Sequence, residues 1–206
     1  MRRKLGLEEA GERNMAETAR TFIAIELPPQ VRAHLADCQQ RLRRAEGDVR
    51  WVRPDLIHLT LVFLGDVPTD MLADLEKTVR EAAAPFGALA MRVQGAGRFP
   101  PRGLPRTIWI GLDETTGRLA ALQKALANAT AAFAEKEEDR AYTPHLTLGR
   151  VKSPRGGRDL SGAVDAMAGA TGPSFEAREV TIFKSELSAQ GPTYTALAKV
   201  ALQALR

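Results

Sequence analysis

The sequence predicts an α+β fold of two lobes related by a pseudo-twofold axis. Each lobe carries an antiparallel sheet, the two sheets line a central cleft, and the helices lie outside. Three observations predict this. The tetrapeptide His-Leu-Thr-Leu occurs at 58–61 and again at 145–148. Two of the chain's three histidines sit in it, although a given histidine precedes Leu-Thr-Leu by chance on the order of once in a thousand. The order strand, helix, motif strand, helix, strand runs twice along the chain, which reads as two copies of one unit.

The elements follow in order. Residues 1–19 are charged and lack a sustained apolar period, so they read as a flexible extension before a bilobal domain over 20–206. Met15 stands where a natural start would fit. Arg20 to Leu27 reads as a strand, broken by Pro28-Pro29, and proline suits the first turn of the helix that follows to about Glu46. Val31, Leu35, Cys38 and Leu42 are spaced for one face of that helix. Leu56 to Gly65 is the first motif strand, and Thr69 to Ala84 is a helix with Thr69 as its cap. Leu89 to Phe99 is a strand with a bend at Gly95-Ala96-Gly97.

The second copy starts with a strand over Thr107 to Leu112. A helix from Thr115 to Ala134 turns Leu119, Leu122, Leu126 and Phe133 inward. Pro144 fits the start of the second motif strand. A basic loop over 152–160 leads to a short helix from Leu160 to Met167. Phe175 to Leu187 reads as one strand and Tyr194 to Leu202 as the last, with helix the alternative for that alanine-rich stretch. One lobe can borrow strands from the other half of the chain, so halves need not equal lobes.

A content of 44% hydrophobic and 26% charged residues is that of a globular protein. No apolar run approaches the roughly 18 residues of a membrane span, and no signal-peptide core follows the basic start. The single cysteine, Cys38, cannot form an internal disulfide. These features point to the cytoplasm. A net charge of +4 suits a polyanionic partner. Arg41, Arg43, Arg44, Arg50 and Arg53 precede the first motif, while Arg150, Lys152, Arg155 and Arg158 follow the second.

In a strand, residues two apart share a face. Each motif therefore offers an imidazole and a hydroxyl on one face and two leucines on the other. A lone histidine on a half-exposed strand is ordinarily just a polar residue; the duplication lifts His58 and His145 above that reading. Two facing motifs would surround one small anion with His58, His145, Thr60 and Thr147. Imidazole titrates near pH 6.5, so one ring can be neutral while the other is protonated. Such a pair can carry an in-line displacement at phosphorus, the base activating water and the acid protonating the leaving oxygen. The threonine hydroxyls can donate to nonbridging oxygens. A metal would require a third ligand, and neither motif contains one, so no metal and no cofactor are expected. His34 lacks a threonine two residues on and reads as a surface residue.

The chain resembles the two-histidine (2H) phosphoesterases, most closely the RNA 2′,3′-cyclic phosphodiesterases historically named 2′-5′ RNA ligases. Residues 20–202 carry the resemblance, through Thr21 to Pro28, His58 to Gly65, Thr143 to Arg150, and the segments around Ile182-Phe183-Lys184-Ser185 and Tyr194. It implies hydrolysis of a terminal 2′,3′-cyclic phosphate to a 2′-phosphomonoester, on RNA ends or nucleotides, by a monomer. It implies His58 as proton donor and His145 as proton acceptor, roles that spacing does not assign. Thr60 and Thr147 match phosphate-holding positions. Arg150 follows His145 by five, which puts it on the opposite face of an unbroken strand; a bend at Gly149 would alter that. Phe22 and Phe63 are candidate platforms for a terminal base.

Three rivals stand beside this reading. The same acid–base pair can join a cyclic end to a 5′-hydroxyl, giving a 2′-5′ linkage. A non-catalytic RNA- or nucleotide-binding module would use the same cleft, although the intact histidines and threonines argue against it. A phosphodiesterase for small cyclic phosphates would show the same motifs.

Overall fold

The computed structural model describes residues 17–136 and 141–203. The expected extension lies mostly outside them, as does Met15. The first strand nevertheless begins two residues before Arg20, so Thr18 and Ala19 belong to the fold. Nine strands and four α-helices follow among the described residues: β1 (Thr18–Glu26), α1 (Pro29–Leu42), β2 (Val49–Trp51), β3 (His58–Pro68), α2 (Leu72–Ala83), β4 (Leu89–Phe99), β5 (Thr107–Asp113), α3 (Arg118–Ala129), β6 (His145–Val151), α4 (Gly157–Asp165), β7 (Thr171–Ala177), β8 (Glu179–Ser188) and β9 (Gly191–Ala201).

All strand pairings are antiparallel. One sheet runs β3-β1-β8-β9, the other β2-β6-β5-β4-β7. Without β2, the two orders are the same: motif strand, opening strand of that copy, then two strands more. A strand that follows the motif is exchanged in each copy, because β4 completes the second motif's sheet and β8 the first's. Helices α2 and α3 pack on β9 and β3 of the four-stranded sheet, while α1 and α4 pack on β7 and β4 of the five-stranded one. Each helix pair thus takes one member from each half of the chain.

The core lies between sheets and helices. Ile23 and Ile25 of β1, Leu35 and Leu42 of α1, Leu75 of α2 and Leu122 and Leu126 of α3 are at most 1% exposed. The motif leucines Leu59, Leu61, Leu146 and Leu148 join them at 3% or less. Burying each contributes about 2 kcal/mol relative to leaving it in water. That apolar face fixes the register, because a slip of one residue would turn the histidines into the core.

Several boundaries differ from expectation. Helix α2 starts at Leu72, and Thr69 opens a 3₁₀ turn over Thr69–Met71 without capping the helix. Helix α3 is shorter than its apolar period, and Phe133 falls in a separate 3₁₀ turn. Helix α4 begins at Gly157, inside the expected basic loop. The bend in β4 is a bulge at which Gly95 takes a left-handed φ of 73°. The strand expected over Phe175 to Leu187 is two strands. Only Arg178 separates β7 from β8, and there the chain passes from one sheet to the other. Pro173 is tolerated in β7 because that strand is a sheet edge. The last segment is a strand, β9. No helix among the described residues is long and apolar enough to cross a membrane.

Candidate active site

The two motif strands meet across the cleft. Strand β3 is the edge of its sheet, and β2 with the following Val52 covers Leu148–Val151 of β6, which leaves the His145–Thr147 stretch open toward β3. Side chains from outside the motifs hold this junction. The Tyr142 hydroxyl donates to the Thr60 carbonyl at 3.2 Å. The buried Gln39 amide of α1 donates to the carbonyls of Val52 and Leu148, at 2.7 and 2.9 Å.

Within the motifs the geometry repeats. Histidine and threonine are half-buried and both leucines buried in each. His58 Nδ1 lies 2.9 Å from the Leu56 carbonyl, and His145 Nδ1 lies 2.8 Å from the Thr143 carbonyl. A carbonyl only accepts, so Nδ1 carries the hydrogen in both rings. This orients each ring and leaves Nε2 as the atom that can take or give a proton.

The ladders contain a second shared device. Ala24 lies opposite Thr60 and Ile23 opposite Val62, so Leu61 is the extra residue of a bulge. Trp109 lies opposite Thr147 and Ile108 opposite Gly149, so Leu148 is the extra residue in the second motif. Each bulge reverses the alternation of faces. Arg150, opposite Thr107, therefore shares the face of Thr147, because Thr107 and Trp109 share a face of β5. The opposite-face expectation for Arg150 held only for an unbroken strand. Phe63, opposite Phe22, holds the corresponding place in the first motif.

Aromatic rings surround both imidazoles, differently. Phe22 stacks on His58 with centroids 4.8 Å apart and planes at 26°. Phe183 stacks on the Phe22 ring, and Tyr194 meets Phe22 and His58 edge-on. Phe22 is only 4% exposed, so its ring supports His58, and a terminal base has no free face of it to stack on. Phe63, at 49%, is the open ring, and the Arg20 guanidinium lies 4.9 Å from its centroid. His145 meets Phe99 edge-on at 5.1 Å, and Trp109 leans over it at 6.2 Å. Gly97 makes room for Trp109: a Cβ there would lie 2.2 Å from the indole ring. Phe183 and Tyr194 fall in segments that carry the family resemblance, but neither they nor Phe99 and Trp109 had a role at the imidazoles assigned from sequence. For Trp109, opposite Thr147, and Phe183, opposite Phe22, the signal lies in the strand pairing.

Burial lowers the pKa of His58, and the like charge of His145 lowers it further; the bond to the Leu56 carbonyl works the other way. Burial raises the Tyr194 phenol, and the positive charge of Arg150 opposes it, which places Arg150 within electrostatic reach of Tyr194 on the opposite sheet. The structure thus gathers His58, His145, Thr60, Thr147 and Arg150 on the two cleft faces. His34 is elsewhere and is not a surface residue. Its half-buried ring packs against Gly172 of β7, with Nε2 3.5 Å from Cys38 Sγ. Among the described residues no cluster of three His, Cys, Asp or Glu could hold a metal ion.

The family model described as the 2′-5′ RNA ligase superfamily matches residues 27–188, a span that includes both motifs. The chain belongs to that superfamily. An RNA 2′,3′-cyclic phosphodiesterase of Methanothermobacter thermautotrophicus is 34% identical over 176 residues, covering 85% of this chain and 95% of the relative. Another from Thermus thermophilus is 33% identical over 194 residues, covering 89% and 90%. The crystal structure of TT0787 from Thermus thermophilus superposes with a TM-score of 0.75 at 28% identity, covering 91% of this chain and all of that one. E. coli LigT complexed with 3′-AMP gives a TM-score of 0.70 at 25% identity, covering 90% and 99%. The 2H phosphoesterase fold is thereby established for this member of the superfamily.

Proposed function

We propose that this chain hydrolyses the terminal 2′,3′-cyclic phosphate of RNA to a 2′-phosphomonoester, using two imidazoles without a metal ion. The observation that carries the reading is the twofold repeat of one arrangement. Two half-buried His-x-Thr faces stand across a cleft, each with Nδ1 tied to the carbonyl two residues back and with no hydrogen bond to Nε2 from the described residues. Relatives bearing the name of this activity match over most of their length.

In the reaction the neutral His145 Nε2 takes a proton from water as its oxygen bonds to phosphorus. The P–O3′ bond breaks, and His58 Nε2–H delivers its proton to the departing O3′. One ring ends protonated and the other neutral, and exchange with solvent resets the pair. Thr60 and Thr147 hydroxyls donate to the nonbridging oxygens, and Arg150 adds positive charge on the same face. The donor must start protonated, yet burial and His145 both disfavour the His58 imidazolium. The anionic substrate resolves this, because a phosphate between the rings stabilises the proton that the empty cleft disfavours.

The test is a short RNA ending in 2′,3′-cyclic phosphate, incubated with EDTA and resolved for 2′- against 3′-phosphate. Full turnover to the 2′-phosphate is expected. Activity lost in EDTA and restored by Zn²⁺ or Mg²⁺ would overturn the metal-free mechanism, and a 3′-phosphate product would overturn the assignment of the leaving oxygen.

A further inference from the structure

The geometry points to Arg50 as the residue that binds the phosphoryl group on the 5′ oxygen of the terminal nucleoside. Substrates carrying a phosphate or phosphodiester there are then preferred over a bare nucleoside cyclic phosphate. The inference rests on the cyclic-phosphate reading above and adds a second anion site to it.

Arg50 lies in β2, directly opposite Arg150 in the ladder. Residues opposite one another share a face, and the bulge at Leu148 brings that face into register with Thr147 and His145. From Thr147 to Arg150 is two ladder steps, about 7 Å along the strand, and β2 is one strand farther out, about 4.8 Å. Arg50 therefore stands beyond the groups that surround the reacting phosphate, on the same surface. Its guanidinium also reaches the other sheet: a Cβ on Gly191, the first residue of β9, would lie 3.7 Å from Arg50 Nη2. Three residues on, Tyr194 senses the charge of Arg150. Two guanidiniums thus flank one end of the cleft.

Like charges directly opposite in a ladder are destabilising unless an anion lies between or beside them. No acidic side chain among the described residues forms an ion pair with Arg50. The cyclic phosphate is already served by two imidazoles and two hydroxyls. The next charge along an RNA 3′ end is the phosphodiester on O5′ of the terminal nucleoside, one backbone unit away.

The experiment compares kcat/KM for adenosine 2′,3′-cyclic phosphate, the same molecule carrying a 5′-phosphate, and a dinucleotide ending in the cyclic phosphate, with unaltered protein and with Arg50→Gln. Arg50 is exposed, so the variant folds. Unaltered protein should favour both 5′-phosphorylated substrates by about tenfold, and Arg50→Gln should bring both ratios near one. A gain confined to the 5′-monophosphate would show recognition of a free terminal phosphate in place of a chain, and would overturn the RNA-end form of the proposal. Ratios kept in the variant, including through a proportional loss on all substrates, would overturn the role of Arg50. A binding arm separates this from the catalytic reading: Kd for adenosine 3′,5′-bisphosphate against 3′-AMP. If no cyclic phosphate is hydrolysed yet the bisphosphate binds about tenfold tighter, and Arg50→Gln abolishes that difference, the catalytic reading fails and the anion site stands. Equal Kd values in unaltered protein would sink the anion site.

Discussion

His58 and His145 hang from the same backbone device and sit in different surroundings. Both rings are tied through Nδ1 to the carbonyl two residues back, and both strands bulge at the fourth motif residue. Phe22 lies flat on His58, with Phe183 and Tyr194 beside it, whereas Phe99 meets His145 only by its edge. After the bulge, the first motif presents Phe63 and the second presents Arg150. The duplicated backbone sets where the two proton carriers stand. The side chains around them, free to differ, make His58 a poorer holder of a proton than a free imidazole and put the positive charge on one side.

The largest effect should come from breaking the symmetry outright. His58→Ala and His145→Ala should each lower kcat/KM by about 10²-fold or more, as removal of a positioned acid or base does, while His34→Ala, away from the cleft, leaves turnover on the same RNA substrate intact. Near-normal rates in either motif variant would show that the pair is not the acid and base. A smaller effect should separate the two bulge positions. Arg150→Gln should raise KM about tenfold through loss of a charge-assisted contact, and Phe63→Ala, its structural counterpart, should change KM by less than about threefold. Equal losses would mean that the two sides bind substrate alike.

The smallest effect sharpens the comparison most. In the free protein, burial and His145 keep the His58 pKa below the usual histidine range near 6.5. One ring must be protonated and the other neutral, so each histidine sets one limb of the kcat/KM profile, the lower pKa the acidic limb and the higher the alkaline one, whichever ring is the donor. Phe22→Leu removes the stacked ring and lets water nearer, so the limb set by His58 should move up toward pH 6.5, by less than about one pH unit, while the other limb stays. Two unmoved limbs would show that the Phe22 ring does not hold the His58 pKa down.

The motif strands and their facing were legible because a period-2 pattern with buried leucines has one sensible orientation. The face of Arg150 was not. A bulge is set by how two strands pair, and glycine does not announce it: the second motif has Gly149 after the bulged residue, where the first has Val62. The split between β7 and β8 was hidden for a similar reason, since Arg178 carries none of the marks of a turn. Strand β2 was missed because three residues show no period. Phe22 was misread because exposure depends on neighbours more than 100 positions away, Phe183 and Tyr194 among them.

The exchange of β4 and β8 between the sheets has a consequence for how the molecule comes into being. Neither half of the chain contains the strands of one complete sheet. The four-stranded sheet cannot close until β8 and β9 have been made, and β1, the first of the described strands, must wait for them with one side unpaired. Pairings that join such distant segments make folding slow relative to helical proteins of this size. They also make the transition cooperative, since opening either sheet strips strands from both copies of the repeated unit. A nascent chain of this kind exposes an apolar, strand-ready edge from the making of β1 to that of β8, and that interval is when it is most open to wrong partners.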